Sequence, residues 1–312
     1  MRVTLAQSAG FCYGVRRAVE LARQTAAETG RCWMLGDLIH NVHVVEELKS
    51  IGIQKAESVE ALQPGDTVII RSHGESKQIL DCLKARGVRC VDATCPNVRR
   101  IQILAAQAEE EGRTPVIIGD AAHPEVAGIA SWCGHPLIFS GPEAVEEWLK
   151  QGPKARETPV TVVAQTTCIR ELFETSWKIV KKECTNAKKF DTICTATHKR
   201  QSEAAILAAK ADVMVVVGDR KSANTKHLTE ICKESCSRVV QVENADELPP
   251  DFFSGCSVAG LTAGASTPAG IIKEVYAAMS EEIKAVENNE ESFEELLNQS
   301  FKTLNTGEKV TG

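Results

Sequence analysis

V-T-V-V-A-Q-T-T-C-I-R-E-L-F-E-T-S-W-K-I-V-K-K, residues 160–182, is where the fold class is decided. Val160–Ala164 is a short apolar run rich in β-branched residues, the pattern of a strand buried on both faces. After the polar break Q-T-T-C, apolar residues recur at i, i+3 and i+4 spacing through Ile169–Lys182, the period of an amphipathic helix. The same succession recurs along the chain. Thr67–Arg71, Pro115–Gly119 and Val213–Gly218 read as further buried strands, and Val15–Thr29, Val98–Glu111 and Gln201–Ala211 as helices. Such alternation predicts an α/β protein with parallel sheets.

Cys12, Cys95 and Cys194 each lie where a strand-like run gives way to a helix-like one: A-G-F-C-Y-G-V-R-R, D-A-T-C-P-N-V-R-R and D-T-I-C-T-A-T-H-K-R-Q. A thiol there meets the positive end of a helix, which favours the thiolate, the form that ligates metal. Three thiolates leave one position open on a tetrahedral or cubane centre, as catalysis requires. The cysteines also divide the chain into comparable α/β portions meeting around a common centre. These are 1–95 with the N-terminal strand, 96–193 and 194–281, followed by an acidic tail, 282–312, packing back through Phe293, Leu296, Leu297 and Phe301. The portions form a structural quasi-repeat with little sequence identity.

Bulk properties narrow the function. With 312 residues and 43% hydrophobic content the chain supports several cores, while 4% aromatic content argues against a stacking surface for nucleic acid or carbohydrate. A net charge of −6 with mixed signs gives no footprint for nucleic acid or membrane. No apolar run is long enough to span a bilayer and no leader pattern is visible, so a cytoplasmic protein is expected. Twelve cysteines in that compartment point to metal or redox chemistry rather than disulfides, and no C-x-x-C pair occurs. Cys32, Cys82, Cys90, Cys133, Cys184 and Cys256 read as small buried hydrophobes, and the i, i+4 pair Cys232 and Cys236 as packing.

The predicted strand-to-helix loops are polar, and ligands of open α/β sheets bind there. His40 precedes a helix, His73 follows a strand, and His123 stands with Pro124 and Glu125 at a helix start. Thr166 and Thr167 end the strand quoted first, with Cys168 after them as a candidate fourth metal ligand. Ser222, Asn224 and Thr225 open another helix, and Ser266 is expected as an N-cap with Pro268 in the first turn. A lone histidine or serine in such a place is more often structural, but their repetition at these junctions suits a phosphate or diphosphate. Walker A and G-x-G-x-x-G patterns are absent, so the anion belongs to a small metabolite.

The set G-F-C-Y-G-V-R-R-A, H-N-V-H-V-V, R-S-H-G, D-A-T-C-P, H-P-E-V-A-G, Q-T-T, D-T-I-C-T-A-T-H-K-R-Q, N-T and T-A-G-A-S-T-P resembles the 4-hydroxy-3-methylbut-2-enyl diphosphate reductase family in order and spacing from Cys12 to Pro268. The resemblance implies three α/β domains in a pseudo-threefold trefoil around a 4Fe–4S cluster with three cysteine ligands, Cys12, Cys95 and Cys194. It implies that His40, His73, His123, Ser222, Asn224 and Ser266 hold the diphosphate, that Glu125 supplies protons and that Thr166 relays them. The implied reaction is two-electron reductive dehydroxylation to isopentenyl and dimethylallyl diphosphate, the last step of non-mevalonate isoprenoid synthesis. Electrons would come from a ferredoxin or flavodoxin, and a monomer is expected. Two positions depart from the family pattern: Ala223 stands where many relatives have a second serine, and Thr195 where an aromatic residue is common. An iron–sulfur lyase such as quinolinate synthase, a cluster-based sensor or electron carrier, and a zinc centre on the same thiolates are the competing readings.

Overall fold

The computed structural model describes residues 2–249 and 252–280; the acidic segment 282–312 lies outside them. In chain order, β1 (Arg2–Leu5) and α1 (Tyr13–Thr29) precede β2 (Cys32–Leu35), α2 (Val42–Ser50), β3 (Ile53–Ala56), β4 (Thr67–Ile70), α3 (Lys77–Ala85) and β5 (Arg89–Asp92). Next come α4 (Pro96–Glu110), β6 (Thr114–Ile118), α5 (Pro124–Ala130), β7 (Leu137–Phe139), α6 (Pro142–Leu149), α7 (Pro153–Glu157), β8 (Val160–Ala164), α8 (Arg170–Glu183) and β9 (Ala187–Lys189). The last run is α9 (Thr195–Ala208), β10 (Val213–Val217), α10 (Ala223–Ser235), β11 (Val239–Val242), β12 (Val258–Ala263) and α11 (Ala269–Met279).

The strands form three four-stranded parallel sheets, ordered β3-β2-β4-β5, β7-β6-β8-β9 and β1-β12-β10-β11. The parallel α/β sheets expected from strand–helix alternation are present, in the three small domains expected from the three cysteine loops. Counted from β2, β6 and β10, with β1 taken last, each sheet has the order 2-1-3-4, so the chain leaves strands 1 and 3 in opposite directions and opens a switch point between them. In the last sheet the fourth strand is β1, paired with β12 from Arg2↔Val258 to Leu5↔Leu261. The N-terminal strand therefore joins the sheet of the C-terminal portion, whereas division at the cysteines groups it with residues 1–95. Local pattern marks a strand without naming its neighbour.

Side chains alternate across each sheet and find helices on both sides. In the β6–β8 sheet, Val116, Ile118 and Val162 pack with Val145, Trp148, Phe173 and Val180 of α6 and α8. Ile117 and Val163 face Ile101, Ala105, Val126 and Ile129 of α4 and α5. Each such aliphatic side chain, fully buried, contributes about 1.5–3 kcal/mol. Helix α9 starts six residues before the expected Gln201, because T-A-T-H-K-R hides the start behind polar residues. The chain divides into two compact units, one made of the chain up to Arg16, His40–Val44 and the chain from Thr195, the other of Arg17–Ile39 and Val45–Cys194.

Candidate active site

A glycine follows the first strand of every sheet: Gly36 after β2, Gly119 after β6 and Gly218 after β10. Their N–H groups donate to Ala56, Phe139 and Val242 carbonyls at 3.1, 2.9 and 2.8 Å, tying each loop to the end of the second strand. A Cβ on Gly119 would come within 2.8 Å of Gln165 Cβ, and one on Gly218 within 2.8 Å of Thr267 Oγ1. In these two sheets the loops after strands 1 and 3 approach this closely only because glycine is there. An aspartate follows each glycine, and a candidate ligand stands four residues beyond it: G-D-L-I-H ending at His40, G-D-A-A-H at His123 and G-D-R-K-S at Ser222. This internal repeat is the sequence signal for the quasi-repeat, and composition and periodicity do not register it.

His123 and Ser222 are N-caps, accepting from Glu125 N at 3.1 Å and Thr225 N at 3.4 Å. For His123 the acceptor is Nδ1, so the neutral ring carries its proton on Nε2 and offers a donor there. Before α2 the cap is Asn41, whose Oδ1 accepts from Val44 N at 3.1 Å. His40 thus stands one residue before the cap, in the unit that also holds Ser266, whose Oγ donates to the His40 carbonyl at 2.8 Å. Ser266 is not the N-cap expected of it: Pro268 is, and α11 starts at Ala269.

The loops after the third strands share one bond. Two residues beyond β4, β8 and β12, the carbonyls of Ser72, Thr166 and Ala265 accept the backbone N–H groups of Cys95, Cys194 and Cys12 at 2.9, 3.0 and 3.1 Å. Each cysteine follows the fourth strand of its sheet and opens a helix, α4, α9 or α1. All three are half-buried. Each sulfur stands at a positive helix end, which favours the thiolate, the form that binds iron.

Charged side chains fix these loops, and sequence reasoning missed them. Arg200 of α9, 1% exposed, donates from Nε to the Ser8 carbonyl at 2.9 Å and from Nη2 to the Gly10 carbonyl at 2.7 Å. One turn on, Glu203 accepts from Gln7 N at 2.5 Å and Ser8 N at 2.8 Å, and from Ser8 Oγ. Together they clamp the loop that leads to Cys12. Arg17 does the same before Cys95, reaching the Thr94 and Asp92 carbonyls at 3.2 and 3.3 Å. An Arg-x-x-Glu pair on a helix otherwise poor in apolar pattern is the available signal.

Glu125 is 2% exposed and lies against Thr166, which donates from N to Oε1 at 2.6 Å and from Oγ1 to Oε2 at 2.7 Å. Burial raises the carboxyl pKa above the ordinary carboxylate range, and the two Thr166 bonds oppose that shift. Next to it, the rings of His73 and His123 meet edge to face with centroids 5.6 Å apart. The His73 loop is braced by Arg71, paired with Glu75 at 3.0 Å.

Asn224 occupies, in the β10–α10 loop, the position that Glu125 has in the β6–α5 loop, two residues after the cap. It is 4% exposed, and both Nδ2 and Oδ1 lack a hydrogen-bond partner among the described residues. A buried carboxamide with both ends unused is suited to a polar ligand. Cys168 is buried with its thiol pKa pushed up to about 12 by desolvation, which argues against a fourth thiolate ligand. Of the cysteines read as buried hydrophobes, Cys32 and Cys184 are buried, Cys82 and Cys90 are exposed, and Cys133 and Cys256 are half-buried. Cys82 lies in α3, Cys90 on the edge strand β5, and Cys133 and Cys256 in loops. Cys232 and Cys236 pack in the core beneath α9 and α10.

Among the described residues no helix is long and apolar enough to cross a membrane. The family model described as LytB protein matches residues 3–280. A 4-hydroxy-3-methylbut-2-enyl diphosphate reductase of Caldanaerobacter subterraneus subsp. tengcongensis is 38% identical over 94% of this chain and 100% of its own length. The Geobacter sulfurreducens reductase is 42% identical over 90% of this chain and 98% of its own. That of Clostridium acetobutylicum is 42% identical over 93% of this chain, which spans 45% of that longer protein. A solved structure of the reductase, the terminal enzyme of the non-mevalonate pathway, has TM-score 0.65 at 36% identity, covering 89% of this chain and 98% of that one. The Plasmodium falciparum structure, TM-score 0.85 at 24% identity over 90% and 88% of the two chains, shares the fold.

Proposed function

The chain belongs to the LytB protein family and catalyses 4-hydroxy-3-methylbut-2-enyl diphosphate reduction, and we propose how its residues divide that work. Cys12, Cys95 and Cys194 are the ligands of a 4Fe–4S cluster. The observation that carries this is the bond they share, each N–H on the carbonyl two residues past a third strand. Bound there, the cluster supplies electrons one at a time and a Lewis-acidic iron.

The rest falls to side chains. Reductive loss of an allylic hydroxyl takes two electrons and two protons: the C–O bond breaks, oxygen leaves as water, and a C–H bond forms. Glu125, whose neutral form burial favours, is the acid for the leaving oxygen, and Thr166 Oγ1 orients it and relays the proton. His40, His73, His123, Ser222, Asn224 and Ser266 hold the diphosphate, whose binding orients the reacting carbon. Ala223 carries no hydroxyl, so its backbone N–H in the first turn of α10 serves there. Protonation at either end of the allyl system gives isopentenyl and dimethylallyl diphosphate. The partners are the allylic diphosphate and an external ferredoxin or flavodoxin, and the enzyme works as a cytoplasmic monomer.

Iron and sulfide analysis of anaerobically prepared protein, followed by turnover with a strong one-electron donor, tests this reading. About four irons per chain are expected, with donor-dependent formation of both C5 diphosphates. Cys194→Ser should lose or destabilise the cluster, and Cys236→Ser should not. If the two behave alike, the ligand assignment fails; turnover without added electrons would favour a lyase.

A further inference from the structure

The three cysteine loops are alike in backbone and unlike two residues further on, where Gly14, Asn97 and Ala196 follow Cys12, Cys95 and Cys194. Only Asn97 has a polar side chain. Its Nδ2 lies 3.2 Å from Cys194 Sγ, within the same unit of the fold. A thiolate sulfur has no proton to give and Oδ1 only accepts, so against a ligating Cys194 the nitrogen is the atom turned toward the sulfur. The carboxamide is fixed at its root, because Cys95 is the N-cap of α4 and Pro96 its first residue.

An N–H on a thiolate ligand draws electron density from the sulfur and stabilises the reduced cluster, whose added charge that sulfur shares. We propose that Asn97 is a positioning residue that raises the reduction potential of the cluster through Cys194. The inference rests on Cys194 being a cluster ligand. The amide moves no electron or proton itself; it acts through the sulfur of Cys194. Neither Gly14 nor Ala196 has a side-chain donor to offer.

The test is a dye-equilibrated redox titration of reconstituted holoenzyme, followed by electron paramagnetic resonance, in wild type, Asn97→Leu and Asn97→Asp. Asn97→Leu should shift the oxidised-to-reduced ratio at fixed ambient potential about tenfold toward oxidised, a fall of about 59 mV for a one-electron couple. Asn97→Asp should fall further, because a carboxylate then faces the sulfur. An unchanged midpoint in Asn97→Leu with full iron content overturns the proposal. Should that variant lose its iron, wild-type enzyme labelled with nitrogen-15 in the asparagine side chains decides. A hyperfine coupling from that nitrogen in the reduced cluster supports the proposal, and its absence overturns it. A Cys194→Ser protein with an intact, unaltered cluster overturns the ligand assignment instead of the role of the amide.

Discussion

The β6–α5 and β10–α10 loops hold the same place in two sheets of the same strand order, yet they carry opposite chemistry. Both begin with Gly-Asp, both cap a helix four residues after the glycine, and both place a buried polar side chain two residues after the cap. In the first that side chain is Glu125, closed on Thr166 from the neighbouring third-strand loop. In the second it is Asn224, with both ends of its carboxamide unused among the described residues. A carboxyl satisfied by the protein and pushed toward its neutral form suits a proton donor; a carboxamide left open suits an anion. The repeated fold supplies the place, and one functional group decides what the place does.

Exchanging the carboxyl for a carboxamide should break the comparison most severely. Glu125→Gln keeps the shape and both bonding positions but removes the proton. Turnover should fall about 10²–10⁴-fold with iron content and substrate binding retained, as read by single-turnover kinetics on the loaded enzyme. Near-normal activity would remove Glu125 from the acid role.

The reciprocal change should cost less and differently. Asn224→Asp places a negative charge in the first turn of α10, where the helix end tolerates it, so stability should hold. The same charge repels the diphosphate. Loss of a charge-assisted contact, about 1.5–3 kcal/mol, predicts KM about 10–100-fold higher with kcat much less changed. A fall in kcat at constant KM would place Asn224 in the chemical step.

Thr166→Val sharpens the first half of the comparison. It removes the Oγ1 bond to Glu125 and leaves the backbone N–H bond, so an influence opposing the raised pKa is lost. Activity that needs the acid form is full at low pH and falls as pH rises through the pKa of Glu125. In the variant that alkaline limb should move to higher pH while the plateau drops several-fold. Stability has the same sign: the folded state holds this proton more tightly than the unfolded chain, so the contribution is fully present below the ordinary carboxylate range and fades as pH rises through the raised value. An alkaline limb that stays in place would show that Thr166 does not tune the acid.

Much of this was legible before any coordinates. Continuous apolar runs such as Val213–Val217 announce strands covered on both faces, and loops where cysteine, histidine and serine collect announce helix starts. What escaped is non-local. The pairing of β1 with β12 joins residues more than 250 positions apart, and no periodicity in R-V-T-L encodes its neighbour. Ser266 looked like a cap because Pro268 suggested a first turn, but the proline itself takes the cap position. Arg200 and Glu203 look like solvated charges on a polar helix until the loop they clamp is seen. The Gly-Asp repeat is a weak signal by itself, because three equal spacings among unlike residues carry little weight without the strand order that aligns them.

The smallest effect concerns Ala223, the residue between the cap and Asn224. At the first position of α10 its backbone N–H is among those a helix leaves without an internal partner, so an anion there is already served by the main chain. Ala223→Ser adds a hydroxyl to a site that has this donor, and one further hydrogen bond contributes about 0.5–1.5 kcal/mol. Substrate affinity should therefore rise by about two- to tenfold, with turnover unchanged, in a calorimetric titration with the diphosphate substrate. The corresponding position after His123 is Pro124, which has no N–H to give. If the first turn of α10 meets the anion while that of α5 carries the acid, a hydroxyl should strengthen binding at position 223, whereas Pro124→Ser should leave affinity where it was. Equal gains at both positions would mean that the first turn of α5 meets the anion as well as its cap His123, and the contrast drawn between Glu125 and Asn224 would not hold.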